Sequence, residues 1–279
     1  MQENAVALKV DNMNLADAMG FSAPTGQSQS TLARITGTVI QEVIDGKVAS
    51  SPVFKIVTED DTVFARKVDV RLFAERQKWQ RWDSENKTMQ KSVMSTNLNH
   101  DMKDTIGTFN LGRPSGYIKD FAALPKDQQD LIRSISRVKV IMGMATLTGA
   151  FYEGGAPADG YDQEFAFVMD VKNRDSLKSI DTTVGKLIKK RINPAEQSIA
   201  LLGETQTLPN GNPFMVIGAS LSDFVGLQEG DNDTLQDFLD YVGANNDYVT
   251  TKWAENNVET ISASEQNIVS NIVDVEDFE

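Results

Sequence analysis

Two strand-patterned runs, SIALLGETQTL and PFMVIGAS, are separated only by PNGN, and this junction constrains the fold more than any other stretch. Asn-Gly fits the two central positions of a type I′ turn, so the runs are expected to pair as an antiparallel hairpin. The same grammar recurs upstream. LARITGTVIQEV, with Ile35, Val39 and Val43, leads into the turn IDGK, and PVFKIV and TVFARKVDVRLF flank the acidic turn TEDD. In the last of these, Val68, Val70 and Leu72 alternate to one face, and Lys67, Arg71 and Phe73 to the other. Two further strands, RVKVIMGMATLTGAF and QEFAFVMDV, enclose the loop EGGAPADG.

Helical periodicity is sparser. LPKDQQDLIRSIS has Pro125 near its start and an apolar stripe at Leu131, Ile132 and Ile135. DSLKSIDTTVGKLIKKRI reads as an amphipathic helix capped by Asp175, with Leu177, Ile180, Val184, Leu187, Ile188 and Ile192 inward and Lys189, Lys190 and Arg191 at its exposed end. TLQDFLDYVGANN is a third candidate, through Leu235, Phe238, Leu239 and Val242. Strand pairs interrupted by single helices lack the regular alternation of a doubly wound fold. The expectation is an α+β, mainly antiparallel β protein with inserted and appended helices. The expected organisation is a flexible arm over 1–30, a β-rich body over 31–222, a helical acidic extension over 223–260 and a disordered acidic tail over 261–279, so both termini are taken as disordered.

With 279 residues, 40% of them hydrophobic, the chain can bury one large core or two modest ones. It holds no apolar run of the roughly 20 residues that span a bilayer, and its first residues carry an early acid and no basic stretch, unlike a secretory leader. With no cysteine there is no disulfide, thiol nucleophile or Cys-based metal site, which suits a reducing, intracellular setting.

The net charge of −13 is unevenly spread. Residues 55–191 hold 23 basic and 19 acidic side chains, whereas 192–279 hold one basic residue, Lys252, and 16 acidic. Within the mildly basic body, RKVDVRLFAERQKWQRW packs six cations, two acids and three large aromatics into one stretch. Enzyme signatures are lacking. There is no phosphate loop, dinucleotide fingerprint or nucleophile elbow, and a single histidine, His100, excludes any two-histidine scheme. Asp101 and Asp104 beside it could hold Mg²⁺ only as a bare carboxylate pair, and a polar surface loop explains them better, so neither a catalytic nor a metal site is expected and no cofactor.

Binding fits better than catalysis. A single DNA strand is held by cations that track phosphates and by rings on which bases stack. Lys67, Arg71, Phe73, Arg76, Lys78, Trp79, Arg81 and Trp82 supply both, and Arg113 and Tyr117 in GRPSGY add a Gly-flanked turn. The acidic end has a role in such a protein: a flexible anionic tail can occupy a basic groove in cis until DNA displaces it. Asp274, Glu276, Asp277 and Phe278 form a short element suited to a basic, apolar pocket on a partner.

This layout, basic-aromatic strands followed by an acidic tail with a near-terminal aromatic, resembles phage single-stranded DNA-binding proteins. STLARI, GRPSGYIKDFAALPKDQQDLIRSISRVKV and TLPNGNPF resemble segments of uncharacterised marine tailed-phage proteins. The resemblance implies an OB-like barrel and a role in phage replication or recombination in the host cytoplasm, with single-stranded DNA and phage replication proteins as partners and no membrane. The match is incomplete, since the chain ends in Glu279 rather than Phe278 and exceeds a single OB barrel in length. The competing readings are a virion structural or assembly protein, in which the basic-aromatic strand is an interface, and a protein that binds polymerase or replisome through its acidic third.

Overall fold

Strand patterning dominates the chain and yields one nine-stranded, mostly antiparallel sheet. The computed structural model describes residues 32–44, 46–98, 101–114 and 118–273, with side chains as far as 257. The strands are β1 (Ala33–Ile44), β2 (Lys47–Val57), β3 (Thr62–Ala65), β4 (Lys67–Asp83), β5 (Thr88–Lys91), β6 (Ser136–Thr148), β7 (Phe165–Val171), β8 (Gln197–Thr207) and β9 (Pro213–Phe224). Among the described residues three α-helices accompany them: α1 (Lys126–Ser134), α2 (Arg174–Lys189) and α3 (Asp231–Val273). The spatial order is β3-β2-β1-β7-β6-β4-β8-β9, with β5 added to β4. The sheet is open, with β3 at one end and β9 at the other. The hairpins expected around IDGK, TEDD and PNGN all form. The departure from antiparallel pairing is β1 on β7, parallel over Ala33–Ile35.

The sheet curls until its two ends pack face to face. Gly37 of β1 and Gly203 of β8 both sit against Met215 of β9, and a Cβ on Gly203 would come within 2.5 Å of the Met215 Cε and 2.9 Å of Pro52. Inside the curl lies the main core, with Phe54, Val68, Val70, Ile141, Phe167 and Ile199 buried. Helix α2 fills the remaining gap through Ile180 and Leu187, with Leu177, Val184 and Ile192 half-buried beside them. Ile188, expected inward, is instead 60% exposed. The cap is Asn173 rather than Asp175: its side-chain oxygen accepts from the amides of Asp175 and Ser176. A second cluster on the opposite face joins Val138, Val140 and Met142 of β6 to Phe238 and Val242 of α3.

Helix α2 also closes a sheet edge. The amides of Ile217 and Ala219 on β9 donate to the hydroxyls of Ser176 and Ser179, and Thr183 donates to the Ala219 carbonyl. The three hydroxyls lie at helical spacing on one face of α2, and they satisfy backbone groups that an edge strand would otherwise leave free. At the other end, β3 is bridged by the backbone of Phe151 to Phe64.

The run TVFARKVDVRLF breaks at Arg66 into β3 and β4, and β4 continues for 17 residues, beyond Leu72–Phe73 through both tryptophans. A β-bulge shifts its register between Leu72 and Ala74, opposite Gly143 of β6. The extra residue turns both Phe73 and Ala74 toward the second cluster. Helix α3 starts at Asp231 and runs to Val273, so helix occupies part of the segment expected to be a disordered tail.

Gly143 is fixed by this bulge, because a Cβ there would collide with the Arg71 carbonyl oxygen. Gly143→Ala is expected to cost more than about 3 kcal/mol in urea unfolding, as overpacking against backbone does. Gly185→Ala, at an open position in α2, is expected to stabilise by about 0.5–1 kcal/mol.

Candidate nucleic-acid interface

The cations of β4 divide between the two faces of the sheet. On the α3 face they are consumed by partners. Arg71 is 2% exposed, and its guanidinium makes five hydrogen bonds. Nε and Nη2 donate to the two carboxylate oxygens of Glu164 at 2.7 Å each. Nη1 and Nη2 donate to Asp231 at 2.9 and 3.0 Å, and Nη1 also donates to the Ala195 carbonyl at 2.9 Å. These occupy all the donor directions that the group has. Phe73 lies 5.2 Å from the same guanidinium and meets Phe238 edge-on at 6.0 Å. Lys78 is buried and paired with Asp170 at 2.9 Å. Lys67 pairs with Asp69 at 2.8 Å, and half-buried Arg76 donates to the Glu75 carbonyl.

Helix α3 lies over this face. Phe238 and Val249 are fully buried. The Asn246 side chain both accepts from and donates to the backbone of Met94, Lys91 donates to Asn245, and Trp253 donates to the Thr108 carbonyl. Of its expected stripe, Phe238 and Val242 are buried, Leu235 is half-buried and Leu239 is exposed. Lys67, Arg71, Phe73 and Lys78 therefore do not form an open phosphate-and-base face. Arg71, Phe73 and Lys78 are packed among the residues that hold α3 and β7 to the sheet, and Lys67 is spent on Asp69.

The opposite face, on the α2 side, keeps open groups. Half-buried Trp79 carries the Arg113 guanidinium 4.8 Å from its ring centroid, which brings together two expected residues far apart in the chain. Burial lowers the Arg113 pKa from its ordinary value, and a guanidinium stays charged there. Arg81, two residues along the same face, is held by Gln90. Trp82 lies on the other face from Trp79, 56% exposed and paired across the ladder with Met89, so the two tryptophans cannot serve one surface. Tyr117, Asp274, Glu276, Asp277 and Phe278 lie outside the described residues, as does His100.

Beside Trp79, its cross-strand partner Arg137 opens a groove of about 780 Å³ lined also by Lys172, Arg174 and Lys178. All four are exposed, and none forms an ion pair among the described residues. The carboxylate in this lining, Asp181, is already taken at 2.6 Å by Lys139, which also holds Glu75 at 3.0 Å. Burial works against the Lys139 charge, yet the two carboxylates outweigh it and its pKa is raised. These four cations escape a search for local density because they come from β6, the β7–α2 turn and α2. KNRDSLK, with three cations in seven residues, was the signal available.

Asp104, expected in a polar surface loop, is fully buried, and its carboxylate accepts from the amides of Ile106, Thr108 and Leu111 and from the Thr108 hydroxyl. Among the described residues no cluster of His, Asp or Glu could hold a metal ion, and no helix is long and apolar enough to cross a membrane. Comparison with protein-family models, curated proteins and solved structures finds no match to this chain.

The Arg71 hydrogen bond holds the Asp231 carboxyl below its usual range against the opposing effect of burial. A carboxylate lowered by folding contributes stability that is present above its unfolded value, about 3.9, and is lost as pH falls through the folded value. Asp231→Asn is expected to cost roughly 2–3 kcal/mol at pH 7. In urea titrations the gap from the parent protein should close as pH falls from 4 toward 2.

Proposed function

We propose that this chain is a non-enzymatic, sequence-tolerant single-stranded DNA-binding protein of phage replication or recombination, acting in the host cytoplasm. The observation that carries the reading is the Trp79–Arg113 stack beside Arg81, on the face that α3 leaves uncovered. A curled antiparallel sheet with a helix lodged in its gap supports an OB-like description of the body. In this reading a base takes the place of the Arg113 guanidinium on the indole, and the displaced cation turns to the adjoining phosphate. Both exchanges keep the ring covered and the charge paired, so binding costs little reorganisation. Asp274, Glu276, Asp277 and Phe278 keep the role of autoregulation and of docking phage replication proteins.

Titration with oligo-dT should quench tryptophan fluorescence. Trp79→Phe should remove most of the quench, and Trp79→Ala should weaken binding about 5- to 100-fold, the range expected for one stacked base. Trp82→Phe should leave the binding-linked quench in place. No quench and no mobility shift at low salt would refute the function.

A second reading, self-assembly of a virion protein, draws on the cross-strand pair of Trp82 and Met89, 56% and 41% exposed. It predicts a DNA-indifferent oligomer in light scattering that Trp82→Glu dissolves.

A further inference from the structure

The cations buried in the sheet are each matched to carboxylates, which sets apart a group of exposed cations that is not. Arg71, Lys78 and Lys139 are buried and matched to carboxylates. Arg137, Lys172, Arg174 and Lys178 converge on one groove with no such match, in a chain of net charge −13. The carboxylate in the lining, Asp181, is engaged by Lys139. The helix N-terminus is not itself the attraction, because the Asn173 side chain already satisfies the amides of Asp175 and Ser176. The side chains are. Arg174 and Lys178 are one helical turn apart on one face of α2, Ser136 and Thr182 add hydroxyl donors, and Leu177 supplies an apolar floor. Arg137 connects this groove to Trp79 across the β4–β6 ladder.

We infer that the groove between α2 and the adjoining ends of β6 and β7 is the track for the sugar–phosphate backbone of the bound strand, leading away from the base seat at Trp79. The inference rests on the single-strand-binding reading and adds to it residues of α2 and β6 that the basic-aromatic stretch does not contain. The track binds phosphates without reading bases, whereas Trp79 binds a base without regard to charge. Salt dependence and fluorescence therefore report on them separately.

The test is oligo-dT binding by the full chain at several salt concentrations, comparing Arg174→Ala/Lys178→Ala with Lys189→Ala/Lys190→Ala. Both pairs remove two exposed cations from α2 or its C-terminal cap, so they change net charge equally. The first pair should reduce the slope of log K against log salt by about 1.4 and weaken binding roughly 10- to 30-fold at 0.1 M salt, as loss of two single-strand phosphate contacts does. The tryptophan quench at saturation should be unchanged, and the second pair should bind like the parent. Equal losses in both pairs, or an unchanged slope with the quench intact, would overturn the track while leaving strand binding in place. A parent protein that gives neither quench nor shift would remove both.

Discussion

One guanidinium holds this structure together. Arg71 lies on β4 and reaches Glu164 ahead of β7, the Ala195 carbonyl ahead of β8 and Asp231 at the start of α3. Its partners are 93, 124 and 160 residues away in the chain. A buried ion pair does not by itself add much net stability, because desolvation offsets the attraction. Removing the guanidinium, however, would strand two carboxylates at a cost of about 3–5 kcal/mol. The arrangement therefore specifies more than it strengthens: with five donors to satisfy, only one placement of the β7 approach, the 194–196 turn and α3 is tolerable. Lys78 with Asp170 repeats the device between β4 and β7, and Lys139 with Glu75 and Asp181 repeats it toward α2.

Local signals were legible where local physics decides. Turn chemistry located the three hairpins, and the periodic runs located the three helices among the described residues, because those preferences act within a few residues. The cap of α2 was displaced by two residues, since Asn173 and Asp175 are both acceptable caps and only the backbone path chooses between them. In the basic-aromatic stretch the engagement of Arg71 and Lys78 is invisible locally for a different reason. Its cations look free when only neighbours are visible, and the carboxylates that claim Arg71 and Lys78 are at least 92 residues distant. The bulge at Leu72–Ala74 then adds a residue to the alternation, so face assignments made upstream do not carry through to Trp79 and Trp82. The groove cations were missed because convergence, rather than density, gathers them.

The same distribution gives the molecule two unlike sides. The described part of the strongly acidic C-terminal region includes α3, laid over one face of the sheet, while the unmatched cations collect beside α2 on the other. Charge separated in this way acts over roughly 10 Å at 0.1 M salt, so salt screens it before it weakens close contacts.

The three hydroxyls that α2 sets against β9 have a consequence of another kind. Backbone amides at the end of a sheet are an invitation to any extended chain nearby, whether a neighbouring nascent polypeptide or a misfolded copy. Ser176, Ser179 and Thr183 fill those positions with side chains of the same molecule, and Phe151 does so with main chain at the far end. Along these sealed segments growth by strand addition is barred at both ends, so assembly there would proceed through side-chain surfaces, whose composition mutation can tune one residue at a time.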